Sequence, residues 1–219
     1  QVMVTPPYDP ATDFAYVARV GEAPLLMVIS PQLPQTKLKE VMDAARQNPD
    51  KWTAGLPALG AASHLATLMF ARQGGLQPIT AVYKGTAPAI TDLLGGHVSV
   101  MFSQVISALE PIRSGKLKAL GVASPKRNPL LPDVQTIAEQ DLPGFEAVSW
   151  YALLVPAGTP GPVVDRLQDA FSKILKSPAV SGKLAQLGTD VDGGTPAALA
   201  TTIQRETERW AEVIRKQNI

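Results

Sequence analysis

The chain has 219 residues, enough for one large domain or two small ones and for a buried core. Its 20 basic and 19 acidic residues leave a formal net charge of +1, which excludes broad electrostatic attraction to nucleic acid or an anionic membrane. Charged residues reach only 18% against 45% hydrophobic, which excludes wholesale disorder. In chain order, Leu25–Ile29 reads as a strand. A helix capped by Thr36 runs to Asn48, with Leu38, Val41, Met42 and Ala45 at spacings of three and four. Leu65, Leu68 and Met69 mark a second helix, stopped by Gly74-Gly75. A strand at Ile79–Tyr83, a short helix at Ala87–Leu94 and a strand at Val98–Phe102 follow. Ser107–Arg113 then turns back into a strand at Leu117–Ala123. This alternation predicts a parallel or mixed sheet covered by helices.

Beyond Ser124 the texture changes. Pro125, Pro129 and Pro132 punctuate a crossing, followed by a short helix near Ile137 and a strand over Ala147–Val155. A helix then carries Leu167, Phe171, Ile174 and Leu175 on one face, and a short one covers Ala179–Leu187. The last helix takes Thr195 as cap and Pro196 at its first position. Leu199, Ile203, Trp210, Val213 and Ile214 keep its apolar period. Its Glu212 and Lys216 form an i,i+4 pair on a solvated face. Two lobes joined near residues 123–133 are predicted.

Cysteine is absent, so thiol catalysis, disulfides and cysteine-based metal sites are excluded. No run approaches the roughly 18 apolar residues that span a bilayer. The opening Gln1-Val2-Met3-Val4 resembles neither a signal peptide nor an obvious natural initiation, and loss of an upstream segment is expected. The two histidines, His64 and His97, lack carboxylates at matching spacing and make a poor metal site. His64 reads as a structural residue bonded to a loop carbonyl, and His97 as an exposed turn residue. Gly55 to Gly60 has a phosphate loop's glycine spacing, but Ala61-Ala62 replaces the lysine and hydroxyl that would hold phosphate and magnesium. What survives is a loop feeding a helix start, whose free N–H groups and dipole suit a small anion. Ser63 is expected to cap that helix or to face a ligand. Tyr83-Lys84-Gly85-Thr86 follows a strand and precedes a helix, where α/β proteins bind ligands. Lys84 is either a cation for a carboxylate or a solvated lysine. Asp9, Asp13, Asp92 and Asp133 show no pairing for acid–base catalysis.

Read in order, these segments resemble the Bug-type solute-binding proteins, the receptors of tripartite tricarboxylate transporters. Tyr8-Asp9-Pro10 through Phe14, Leu38–Pro49, Gly55–Leu65 and Tyr83–Pro88 each resemble a family run. So do Leu93–Phe102, Gly115–Ser124, Lys126–Ala138, Trp150-Tyr151, Pro156–Pro160 and Glu206–Trp210. The resemblance covers nearly the whole chain. It implies an α/β fold like the type II periplasmic binding proteins, with one complete lobe plus an incomplete second lobe. Residues 1–23 would cross into the central lobe at 24–123, and 124–219 would return to the other lobe. It also implies a periplasmic receptor, not an enzyme and without cofactor, that captures a small carboxylate and delivers it to membrane transporter subunits. The ligand-binding residues expected on this basis are Thr53, Gly55, Gly60, Ala61, Ala62, Ser63, Tyr83, Lys84, Gly85 and Ser103.

The chain departs from the family pattern in two ways. Family members carry a long segment ahead of this start, including a loop that forms the other cleft wall. Leu56 and Ala61 stand at family hydroxyl positions, Ala58 at a frequent glycine, Val82 at a proline and Ser99 at an aspartate. Each lost hydroxyl removes a hydrogen bond worth about 1.5–3 kcal/mol to a charged oxygen, while Leu56 is expected to offer apolar surface to the ligand. The expected ligand is therefore a carboxylate with an aromatic or aliphatic body rather than citrate, bound weakly by this span alone. Two alternatives remain open: a receptor-derived partner-binding or signalling module, and a hydrolase using His64.

Overall fold

A computed structural model describes residues 7–217, with side chains described through residue 215. Gln1–Val4, and Lys216 of the Glu212–Lys216 pair, therefore lie outside what is described. The chain separates into two compact units, one spanning Pro24–Ser149 and the other comprising the described residues 7–23 and 150–217. Both boundaries fall inside strands, β1 (Phe14–Ile29) and β6 (Val148–Pro156).

The first unit is built on β2 (Thr53–Leu56), β3 (Ile79–Val82), β4 (Val100–Gln104), β5 (Lys118–Val122) and the later half of β1, in the order β3-β2-β4-β1-β5. β2 runs parallel to β3 and β4, whereas β1 runs antiparallel to β4 and β5. Period-two alternation divides the apolar residues between two cores. Leu25, Met27 and Ile29 of β1 join Val100 and Phe102 in one, and Leu26 and Val28 join Met101 in the other. The first core includes Val41 and Met42 of α1 (Leu38–Gln47) and Met69 and Phe70 of α2 (Ala62–Gly74). The second includes Leu93 of α3 (Thr86–Gly95) and Val105 and Leu109 of α4 (Val105–Arg113). Helices on both faces of a mixed sheet are the three-layer solution that this hydrophobic pattern requires.

Residues 124–149 pack with this unit rather than marking its edge near 123–133. Phe145 sits with its ring centroid 5.8 Å from Phe102 and 6.4 Å from Phe70, and Ala147 donates its N–H to the Ala123 carbonyl at 2.7 Å. The helix expected near Ile137 is a turn. Ile137 is fully buried, and the turn is fixed by Thr136, whose N–H donates to Glu139 at 2.7 Å and whose hydroxyl accepts the Glu139 N–H at 3.0 Å. Thr36 does not cap α1 through its hydroxyl. Instead Glu40 reaches back, accepting the N–H groups of Thr36 (2.9 Å) and Lys37 (3.2 Å), and these backbone bonds hold its carboxyl below the usual range.

In the other unit, β6 and β7 (Asp190–Val191) both pair with β1. Here α5 (Gly161–Lys176), α6 (Pro178–Gln186) and α7 (Pro196–Gln217) supply the helices. Thr195 does cap α7, its hydroxyl accepting the Ala198 N–H at 3.2 Å. Of the expected apolar face of α5, Leu175 is buried while Ile174 is half exposed. Buried Glu206 is held by the Trp210 indole N–H at 3.0 Å and by Arg205 at 3.2 Å.

Candidate functional site

Because β2, β3 and β4 are parallel, their carboxyl ends share one edge of the sheet, and each strand feeds a helix there. β2 leads through residues 57–61 into α2, β3 through 83–85 into α3, and β4 directly into α4. None of these three helices has a side-chain cap, so their first N–H groups stay available and their dipoles present positive ends. The first bond within α2 runs from the Leu65 N–H to the Ala61 carbonyl, which leaves the N–H groups of Ala62, Ser63 and His64 outside its ladder. A cleft of about 240 Å³ opens between these starts, lined by Pro57, Ala58, Ala61, Ala62 and Ser63, by Gly85 and Thr86, and by Phe102, Ser103 and Gln104. Leu25 and Ser149 complete its lining.

No lining residue carries a charge. The positive potential of the cleft is that of the backbone, while Leu25, Pro57, Ala58 and Phe102 make part of its wall apolar. Leu25 reaches the cleft because the antiparallel register sets it opposite Gln104, the last residue of β4. The two loops are tied together: the Tyr83 N–H donates to the Leu56 carbonyl and the Gly85 N–H to the Pro57 carbonyl, both at 2.9 Å.

Of the residues expected at the site, Ala61, Ala62, Ser63, Gly85 and Ser103 line this cleft. Ser63 does not cap α2; the residue before the helix is Ala61, and the Ser63 carbonyl accepts the Thr67 hydroxyl at 2.8 Å. Thr53, Gly55, Gly60, Tyr83 and Lys84 do not line it. Thr53 begins β2, with its N–H on the Ser99 hydroxyl at 3.2 Å. Gly55 lies inside β2, beneath Val98, Met101 and Tyr83. The span from Thr53 thus starts as a strand, one too short and too poor in large apolar residues to stand out. Tyr83 donates its hydroxyl to Asp92 at 2.7 Å, and burial, then that bond and the Asp92 charge, raise its pKa to about 12. Lys84 is exposed.

Leu56 is 1% exposed and packs in the interior, so the apolar surface it was expected to offer a ligand goes to the core instead. Ala58 and Ala61 are the departures from the family pattern that reach the cleft. His97 is exposed, as expected for a turn. His64 bonds the loop as an acceptor, not a donor: the Gly60 N–H points to its Nδ1 at 3.0 Å. Leu25 and Ser149 escaped the sequence reading, since only the sheet register and the return of residues 124–149 bring them here. Among the described residues no group of three or more histidine, cysteine or acidic side chains is placed to hold a metal ion.

Residues 3–219 match the family model described as the tripartite tricarboxylate transporter family receptor. BugT of Bordetella pertussis is 34% identical over 98% of this chain, and a protein from the tcbD–tcbE intergenic region of Pseudomonas sp. strain P51 is 37% identical over 95%. The chain spans 62–66% of the length of these two relatives. Among solved structures, R. palustris Rpa4515 with adipate superposes with a TM-score of 0.88 at 33% identity, covering 96% of this chain and 71% of that one. The periplasmic binding protein BugD gives 0.86 at 36%, covering 97% and 72%. MatC from Rhodopseudomonas palustris with bound malate gives 0.86 at 33%, covering 97% and 74%. The family match over nearly the whole chain, with these likenesses, establishes that the chain belongs to the tripartite tricarboxylate transporter receptor family.

Proposed function

We propose that this chain is the ligand-gripping part of a periplasmic receptor that captures a dicarboxylate with an aliphatic body and hands it to a tripartite transporter. The observation that carries this reading is the convergence of three uncapped helix N-termini on a cleft without charged side chains. One carboxylate sits among the N–H groups of Ala61–Ser63 and Thr86, with the Ser63 and Thr86 hydroxyls as further partners, while the Gly85 N–H stays on the Pro57 carbonyl. Each helix end contributes about 0.3–1 kcal/mol toward a negative group, and each hydrogen bond to the charged oxygen about 1.5–3 kcal/mol. The ligand's methylenes lie against Leu25, Pro57, Ala58 and Phe102. Thr53, Gly55, Gly60 and Tyr83 act behind the cleft, holding the strands and turns that aim these groups, while Lys84 stands exposed beside it. Adipate in one structural relative and malate in another support the ligand class.

Catalysis has no support in this geometry. His64 is engaged by the Gly60 N–H, and among the described residues no carboxylate is bonded to it, so these residues do not form an acid, base and nucleophile set.

Calorimetric titration with succinate, glutarate, adipate and citrate tests the proposal. Each further methylene buried against the apolar wall is worth about 0.8 kcal/mol, so adipate should bind about tenfold more tightly than succinate. Citrate should bind weakest, because its three charges exceed what the neutral walls can partner. Citrate as the tightest ligand would overturn the reading.

A further inference from the structure

His64 stands immediately behind the cleft without lining it. It is the third residue of α2 and only 8% exposed, and its Nδ1 accepts the Gly60 N–H at 3.0 Å. Gly60 lies between Ala58 and Ala61, both cleft residues. The loop from Pro57 to Ala61 makes few other fixed bonds. The Pro57 carbonyl holds Gly85, and the Ala61 carbonyl takes the Leu65 N–H as α2 begins. Between these two anchors the Gly60–His64 bond is the one that ties the middle of the loop to the helix.

We propose that His64 is the positioning residue of the anion-binding loop, and that its neutral, Nδ1-accepting form holds the loop in its binding geometry while protonation releases it. This inference rests on the carboxylate-binding reading given above. An N–H can point at Nδ1 only while that nitrogen keeps its lone pair, so the bond requires neutral imidazole with its proton on Nε2. Imidazolium would place two donors against each other. The Gly60 amide would have to turn away, carrying the Ala58–Ala61 wall with it.

The surroundings favour the neutral form. No residue from Trp52 to Ala71 is charged, and this span contains β2, the loop and all but the end of α2. β4, which also packs against α2, has no ionisable side chain. The flanking elements bring Arg72 at the far end of α2, Arg46 of α1, which donates to the Gly74 carbonyl at 2.9 Å, and exposed Lys84 beyond β3. Burial lowers the His64 pKa below its ordinary 6.5, and a place in the first turn of α2 also disfavours imidazolium. The midpoint of the loss of grip therefore lies below pH 6.5, and the neutral, loop-holding form dominates at pH 7.5.

The test compares the wild-type chain with His64→Ala and His64→Asn, using adipate as the probe from pH 7.5 to 5.0. The asparagine Oδ1 can occupy the Nδ1 position and accept the Gly60 N–H without titrating. At pH 7.5, His64→Ala should bind about tenfold more weakly, the equivalent of one hydrogen bond, and His64→Asn should recover most of that loss. On acidification the wild type should lose affinity faster than His64→Asn, whose profile reports only the ligand's own protonation. Equal affinity of wild type and alanine variant at pH 7.5, or parallel pH profiles of wild type and His64→Asn, would overturn the proposal. Tighter wild-type binding at low pH would overturn it too, since imidazolium would then act as a direct ligand.

If adipate binds none of the three at any pH, the carboxylate reading fails, and nitrogen NMR of the free chain still decides the histidine's part. Nδ1 should appear as the unprotonated nitrogen at pH 7.5, and the Gly60 amide should shift in step with the His64 titration. An Nδ1–H tautomer, or a Gly60 amide indifferent to that titration, would refute it.

Discussion

Gly85 occupies the residue before α3 with φ 122°, a region that side chains other than glycine rarely enter. Its Cα faces open space, so a methyl group there would meet no neighbour. The whole penalty of a substitution is therefore conformational, and it falls on a residue whose N–H bonds the Pro57 carbonyl at 2.9 Å. Gly85→Ala should destabilise the chain by about 1–3 kcal/mol in urea unfolding, the usual cost of a residue forced into such a region. It should also weaken carboxylate binding, because relaxing φ turns the α3 start out of the cleft. Unchanged stability together with unchanged binding would show that the local backbone does not need glycine. The contrast with Lys84 is instructive. A lysine beside a ligand loop draws notice in a sequence, yet it is exposed and outside the cleft, while the glycine after it is part of the wall.

At the scale of elements, legibility followed the strength of the local signal. α2 ends where Gly74-Gly75 placed it, with Gly75 in the left-handed conformation at φ 63°. α7 starts at its Thr195 cap. β2 was read as loop because Thr53–Leu56 holds one large apolar residue, and it exists through parallel pairing on both sides. The first half of β1 was missed since Arg19, Gly21 and Glu22 interrupt its apolar pattern. The cleft was legible as three segments at strand ends, and its contributors from β1 and the 148–149 region were not, because antiparallel register is a long-range property. The turn at 136–140 looked helical from its apolar and amide residues, but its role is to seal β5. Gly121 of β5 permits this seal: a Cβ there would come within 2.8 Å of Ile137 Cγ1 and 2.9 Å of Gln140 Nε2. Gln140 spends that amide on the Leu120 carbonyl at 2.9 Å. Gly121→Ala should thus displace the turn and cost about 1–3 kcal/mol by overpacking, measured by chemical denaturation. A neutral effect would mean that the turn yields freely.

For the whole molecule, the boundary of the cleft-bearing unit decides what can fold alone. A fragment of residues 24–123 contains every strand and helix of the β-α alternation, but it lacks Ile137, Leu142, Phe145 and Ala147 of the first core. Losing Phe145 alone removes a ring packed against both Phe70 and Phe102, a change of the kind that costs about 3–5 kcal/mol. Domains are stable by about 5–15 kcal/mol, so removing all four residues and the β5 seal should leave that fragment without a cooperative transition. A fragment of residues 24–149 keeps both cores and the complete lining of the cleft, Ser149 included. It should unfold in one cooperative step and retain measurable adipate affinity, because it carries every residue that lines the cleft. Urea melts of the two fragments, followed by tryptophan fluorescence of Trp52, their single tryptophan, separate the cases. Cooperative unfolding of 24–123 with native-like affinity would show that the 124–149 segment is dispensable, and the unit would then end where the strand–helix alternation ends.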